Sequence, residues 1–145
     1  MINEFRGKYY GFSNFGPGEV TVFGLHFKNG EAAFHSQKDV SRAKEFCNLN
    51  PSDSKKLGRV VNLRPDWEDV KEDIMYEVVK AKFEQNEDLK KLLLSTDDKV
   101  LIEGTTPWHD NYWGNCECRR CKDIPGLNRL GIILMKVRSE LLCKK

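Results

Sequence analysis

The stretch WEDVKEDIMYEVVKA, Trp67 to Ala81, decides the fold class. Val70, Ile74, Val78 and Ala81 recur at intervals of three and four, with Met75 and Val79 widening the stripe. That spacing predicts a helix with one buried face. Pro65 suits the first helical position, and Asp66 in the first turn favours the helix dipole. Outward from this helix, Pro51 and Gly58 bracket a short helix, and Glu87 to Ser95 reads as another. Glu19 to Phe27 alternates Val20, Val22 and Phe27 with polar or small residues, which predicts a hairpin bent at Phe23-Gly24. Asn29-Gly30 is a turn signal before a helix expected from Glu31 to about Phe46, with Phe34, Val40 and Ala43 facing inward. Val100 to Ile102 reads as a small buried strand. A final helix follows Asn128 as its cap and buries Leu130, Ile133, Leu134, Val137 and Leu141. The expected fold is a mostly helical α+β domain with a small β-hairpin, one domain over residues 1–145.

Composition narrows the function classes. With 24 basic against 22 acidic side chains the net charge is only +2, which argues against a general nucleic-acid coat protein. A local basic patch for one modified nucleotide remains compatible with that balance. Met1 to Tyr10 lacks the apolar segment of a secretory leader, and the five cysteines are odd in number and scattered. Both features point to the cytoplasm rather than to a disulfide framework.

Chemistry concentrates in two places. Glu31 and Lys38 lie two turns apart on the predicted helix, with His35 between them on the Glu31 side. A carboxylate beside an amine can supply acid–base and nucleophilic catalysis, or it can be a solvated face with a salt bridge. The run Thr105 to Gly114 offers Trp108, His109, Asp110, Tyr112 and Trp113 with no helical or strand period. Its rings could stack on bases and Asp110 could activate water; alternatively the tryptophans cap the core and Asp110 holds a turn. This run opens a long irregular loop, Thr105 to Gly126, of the kind that usually serves function. Within it, Cys116, Cys118 and Cys121 could bind zinc with His109 or Cys143 as a fourth ligand, or could be reduced thiols that shape the loop. Arg64 is placed to reach a phosphate, and Trp67 reads as core.

In order and spacing these segments resemble the NADAR (YbiA-like) family from about Phe12 to Leu142. The pattern includes Gly11-Phe12-Ser13-Asn14-Phe15, then Glu31, Phe34 and Lys38, then Arg64, Asp66, Trp67, Lys71 and Met75. Lys82-Phe83-Glu84-Gln85-Asn86 follows, and the close is met by Asp110, Trp113, Gly114, Gly126, Asn128, Leu130, Gly131, Leu134, Met135 and Arg138. Two departures stand out. Ala32 replaces a usual His after the helix Glu, and His35-Ser36-Gln37 precedes Lys38 where Gln-Ala is usual. The Cys116 to Cys121 segment also lengthens the loop after Trp113-Gly114, adding Arg119, Arg120 and Lys122, which could meet phosphates or form a solvated tip.

The resemblance implies a YbiA-like fold and an N-glycosidase without a redox cofactor. Its substrate would be ADP-ribosylated guanine in nucleic acid or, alternatively, a ribosylaminopyrimidine phosphate of the riboflavin pathway. A non-catalytic ADP-ribose or NAD-binding module is the rival from another class. The catalytic residues implied are Glu31, Lys38 and Asp110. Substrate contacts are implied for Asn14, Phe15, Arg64, Trp67, Trp113, Gly114 and Asn128.

Overall fold

The computed structural model describes residues 1–143. Contacts gather into two compact units: Asn14–Lys90, and Met1–Ser13 together with the chain from Lys91 onward. The described residues form five α-helices, short 3-10 segments and one two-stranded antiparallel sheet, so the expected mostly helical α+β class holds. No helix among them is long and apolar enough to cross a membrane.

In the Asn14–Lys90 unit, β1 (Val20–Val22) and β2 (Leu25–Phe27) pair as Val20 with Phe27 and Val22 with Leu25. Phe23 and Gly24 both take positive φ, 57° and 76°, which is the two-residue turn whose twist matches a hairpin. Next come α1 (Gly30–Ser36), a 3-10 segment over Val40–Phe46, α2 (Pro51–Gly58) and α3 (Trp67–Gln85). The continuous helix expected from Glu31 to Phe46 therefore breaks. Ser36 Oγ turns back onto the Ala33 carbonyl at 2.6 Å, while the Gln37 and Lys38 amides close on Phe34 and His35 three residues back. Phe34 and Ala43 are buried as expected, but Val40 falls beyond the break and is 60% exposed. Pro65 also lies outside α3, in a turn where the Trp67 amide bonds to the Arg64 carbonyl. Along α3, Ile74, Met75, Val78, Val79 and Phe83 are buried.

The end of α3 holds the hairpin. Gln85 pairs its side-chain amide with both the N–H and the C=O of Thr21, at 2.7 and 2.8 Å, in the manner of a third strand. Asn86 donates to the Glu19 carbonyl at 2.9 Å. The short helix α4 (Glu87–Leu94) follows as expected.

In the other unit, Phe12 packs edge-on to Phe5 and against Tyr9. The strand expected over residues 100–102 reduces to a single parallel bridge between Ile2 and Leu101, because Ile2 supplies one residue of partner backbone. Leu101 is fully buried, while Val100 faces outward. The last helix, α5 (Arg129–Cys143), buries Leu130, Ile133, Leu134, Val137 and Leu141, the expected stripe. Its Arg138 is also buried and donates to Thr96 Oγ1 and the Lys99 carbonyl, both at 2.9 Å. Gly131 is the point of closest approach, since a Cβ there would stand 2.1 Å from the Leu101 carbonyl oxygen. Gly131→Ala is expected to cost about 1–3 kcal/mol in urea denaturation, the range for overpacking a tight site. Ile132→Ala, on the exposed side of the same turn, is expected to cost under about 0.5 kcal/mol.

Candidate active site

The Asn14–Lys90 unit gathers Glu31, His35, Lys38, Arg64 and Trp67. Asn29 caps α1, accepting the Ala32 amide at 2.8 Å and donating to the Leu49 carbonyl at 2.9 Å. The Glu31 amide is taken by the Asn14 carbonyl. These bonds fix Glu31 in the first turn, where its side chain is only 12% exposed and sits 2.7 Å from His35 Nε2. His35 is itself buried against Gly58, whose missing Cβ leaves the room the imidazole occupies.

Lys38 sits in the turn after α1, with Nζ 5.6 Å from the centre of the Trp67 ring. Trp67 in turn lies 5.2 Å from Phe34 and is buried, as its core reading required. Burial pulls the Lys38 amine below the ordinary lysine value; the charge of Glu31 opposes this, and those of Arg59 and Lys55 add to the lowering. Arg64 orders the Lys38 turn. Its amide bonds to the Lys38 carbonyl at 2.9 Å, Nη1 reaches the Gln37 carbonyl, and Nε and Nη2 grip Asp66 at 2.6 and 3.1 Å. Its guanidinium is thus engaged within the protein. Asn14 is buried with its amide nitrogen on Met75 Sδ at 3.0 Å. Phe15 is partly exposed, with Lys55 Nζ 5.8 Å from its ring.

The other unit gathers Asp110, Trp113, Gly114, Asn128 and the cysteines. Asp110 Oδ1 accepts the Tyr112 and Trp113 amides, each at 2.9 Å, so the carboxylate does hold a turn. Among the described residues, no hydrogen bond reaches Oδ2. Trp113 is half-buried, edge-on to Tyr112, whereas Trp108 is 47% exposed beneath the Arg6 guanidinium. At Gly114 a Cβ would meet the Glu103 carbonyl oxygen at 2.4 Å, so the glycine serves close backbone packing. Asn128 precedes α5, but its side chain does not cap it. Nδ2 donates to the Leu101 carbonyl at 2.8 Å and Oδ1 accepts the Glu103 amide at 3.0 Å. Cys116, Cys118 and Cys121 converge with His109, their ligand atoms all within 4.8 Å of one another; Cys143 is exposed and outside the group.

The NADAR domain family model matches residues 3–142, spanning both units. The chain belongs to the NADAR family. It is 36% identical over 142 residues to the N-glycosidase YbiA of Escherichia coli, covering 94% of this chain and 84% of that protein. An N-glycosidase of Nostoc punctiforme is also 36% identical, over 90% of this chain and 84% of its own length. The riboflavin biosynthesis protein PYRR of Arabidopsis thaliana is 45% identical over 80 residues, 55% of this chain but 12% of PYRR. The NMR structure of E. coli YbiA superposes with a TM-score of 0.81 at 34% identity, covering 99% of this chain and 88% of that one. The expected YbiA-like fold therefore stands.

Several positions of the NADAR pattern make bonds within the protein: Gln85 and Asn86 dock the hairpin, Arg64 clasps the Lys38 turn, Asn128 holds backbone, and Arg138 bonds to Thr96 Oγ1 and the Lys99 carbonyl. One NADAR position carries more than sequence reasoning assigned to it. Lys82 is 1% exposed, and burial brings its amine down to about 7 against the opposing charge of Glu31. Its signal was present, since Ile74, Val78 and Lys82 continue the buried stripe at intervals of four.

The Asp110 geometry separates its two roles. Asp110→Asn keeps an acceptor for the Tyr112 and Trp113 amides and is expected to leave thermal stability near wild type. Asp110→Ala orphans both amides and is expected to cost about 1–3 kcal/mol. Loss of turnover in Asp110→Asn without loss of stability would assign chemistry to the carboxylate; retained turnover would confine it to the turn.

Proposed function

We propose that this chain is an N-glycosidase of the cytoplasm that removes ADP-ribose from guanine in nucleic acid. In this reading both units form one NADAR domain, Lys38 is the nucleophile, and Glu31 and Asp110 supply acid–base catalysis. Kinship with named N-glycosidases over nearly the whole chain supports the hydrolase class. The observation that carries the mechanism is Lys38 itself. It is a half-buried amine with a lowered pKa, held over Trp67 and within the field of the nearly buried Glu31. A pure binding module has no use for that pair.

The neutral Lys38 amine attacks the anomeric carbon, and the C–N bond to the base breaks with its electron pair passing to the base nitrogen. The acid form of Glu31 or Asp110 protonates that nitrogen. The ribosyl-amine adduct then opens to an imine, its ring oxygen taking up a proton. Water adds to the imine carbon, the C–N bond to Lys38 breaks, and the free amine returns. The net reaction consumes one water, restores the unmodified guanine within the nucleic acid and releases ADP-ribose, with no change in oxidation state. Trp113 stacks on the base, with Asn14, Phe15, Gly114 and Asn128 shaping the substrate's surroundings.

A polyphosphate substrate is favoured by the charges of Lys55 and Arg59, which reach Lys38, and by Arg119, Arg120 and Lys122. The match to PYRR supports a second reading, hydrolysis of a ribosylaminopyrimidine phosphate.

The deciding assay offers the enzyme guanine-ADP-ribosylated DNA and, separately, a ribosylaminouracil phosphate, with ADP-ribose freed from the DNA and base freed from the nucleotide followed by mass spectrometry. ADP-ribose release from the DNA is expected. Lys38→Ala should lower it by at least about 100-fold, the lower end of what a positioned catalytic group supplies. Borohydride should trap an ADP-ribosyl adduct at Lys38, and absence of any adduct during turnover would rule out the imine. Release from the small nucleotide alone would transfer the protein to the second reading.

The pH profile provides an independent check. Activity should rise with pH as the Lys38 amine deprotonates. Arg59→Gln removes a charge that lowers the Lys38 pKa, so the rising limb should move to higher pH, and the shift should shrink in high salt. An unmoved limb would mean that another group titrates.

A further inference from the structure

Four soft ligand atoms meet at one point in the irregular loop of the unit that contains Asp110. His109 Nδ1 lies 3.3 Å from Cys116 Sγ, 3.3 Å from Cys118 Sγ and 3.7 Å from Cys121 Sγ. An imidazole nitrogen carries at most one hydrogen or one lone pair, so these three approaches cannot all be hydrogen bonds at once. A cation that replaces the protons satisfies all four atoms together. A tetrahedral zinc with bonds of about 2.3 Å to sulfur and 2.0–2.1 Å to nitrogen puts its ligands roughly 3.5–3.8 Å apart. The observed set, within 4.8 Å throughout, reaches that geometry with closures of about 1 Å at most.

Cys116 and Cys121 are 2% and 4% exposed. The Cys121 amide closes a tight turn onto the Cys118 carbonyl at 3.1 Å. His109 takes up a left-handed backbone conformation, φ 59°, on the other arm of the group. Three thiolates and one neutral imidazole around Zn²⁺ leave a charge of −1, and Arg119, Arg120 and Lys122 flank the ligands in sequence.

We propose that His109, Cys116, Cys118 and Cys121 form a Cys₃His zinc site that staples the 105–126 loop. Binding takes all three cysteines as thiolates, any thiol protons passing to solvent, and involves no electron transfer. Four protein ligands leave no open coordination position, so the metal is structural rather than catalytic. It ties His109, the neighbour of Asp110, to the far side of the loop. This site stands apart from the glycosidase reading, and its test needs no substrate.

The full chain, purified in reductant without chelator, should contain about one zinc per chain by elemental mass spectrometry. Cobalt(II) added to reduced, metal-stripped protein should give the visible bands of tetrahedral coordination and a near-ultraviolet thiolate charge-transfer band, both erased by added zinc. Cys118→Ser and His109→Ala alter side chains that are not fully buried, and both should weaken metal retention; Cys143→Ser should leave it unchanged. The proposal fails if the full chain carries no zinc and shows no tetrahedral cobalt bands. It also fails if iron or copper fills the site in place of zinc, or if neither ligand variant alters metal content.

Discussion

A carboxylate held almost out of solvent governs the Asn14–Lys90 unit. Ionised Glu31 would cost several kcal/mol in a dry setting without hydrogen bonds and opposite charge. It has both, in His35 at 2.7 Å and in the charges of Lys38 and Lys82. The dependence is mutual, because burial pushes both amines toward their neutral forms and Glu31 is the charge that opposes it. The backbone takes part as well, since Asn29 and Asn14 fix where α1 begins and so where Glu31 enters the cluster.

The end of α1 matters as much as its beginning. On one unbroken helix, Glu31 and Lys38 would stand about 10 Å apart along the axis, at 1.5 Å per residue. The chain instead leaves the helix at Ser36, and Lys38 enters a turn clasped by Arg64 and floored by Trp67. The seven-residue spacing thus linked two residues whose charges do interact, through a geometry the chain does not adopt. Hydrophobic period could not reveal the break, because it arises from one hydroxyl competing for a backbone carbonyl.

Elements whose burial follows a simple period were legible: α3, α5 and the hairpin with its Phe23-Gly24 turn. Val100 to Ile102 misled because apolar residues in sequence do not reveal how much partner backbone exists, and here Ile2 alone supplies it. Lys82 escaped notice for the complementary reason. A lysine is read as solvated by default, yet its place on the α3 stripe forces the amine inside, where Glu31 is the charge that opposes its loss of the proton. Resemblance to a family marks such positions without explaining them. Gln85, Asn86 and Asn128 share the pattern with Lys38, yet each spends its side chain on backbone of its own unit, and Arg138 divides its guanidinium between Thr96 Oγ1 and the Lys99 carbonyl.

The same accounting bears on the loop, whose density of polar and aromatic side chains first suggested chemistry. Most of those groups have local work. Asn111 accepts the Cys116 amide, Asn115 accepts the Gly126 amide, and Thr106 accepts the Glu117 amide. The Leu127, Asn128, Arg129 and Leu130 amides run back onto the carbonyls of residues 111–114. An irregular segment of this length gives up much conformational entropy, and these bonds offset part of that loss where residues 111–114 meet 127–130. Residues 116–121 lie at the other end, where the thiols and one imidazole meet each other rather than a backbone partner for every atom. Among the described residues, the groups to examine for function are therefore the second oxygen of Asp110, which no hydrogen bond reaches, and the sulfurs that converge on His109.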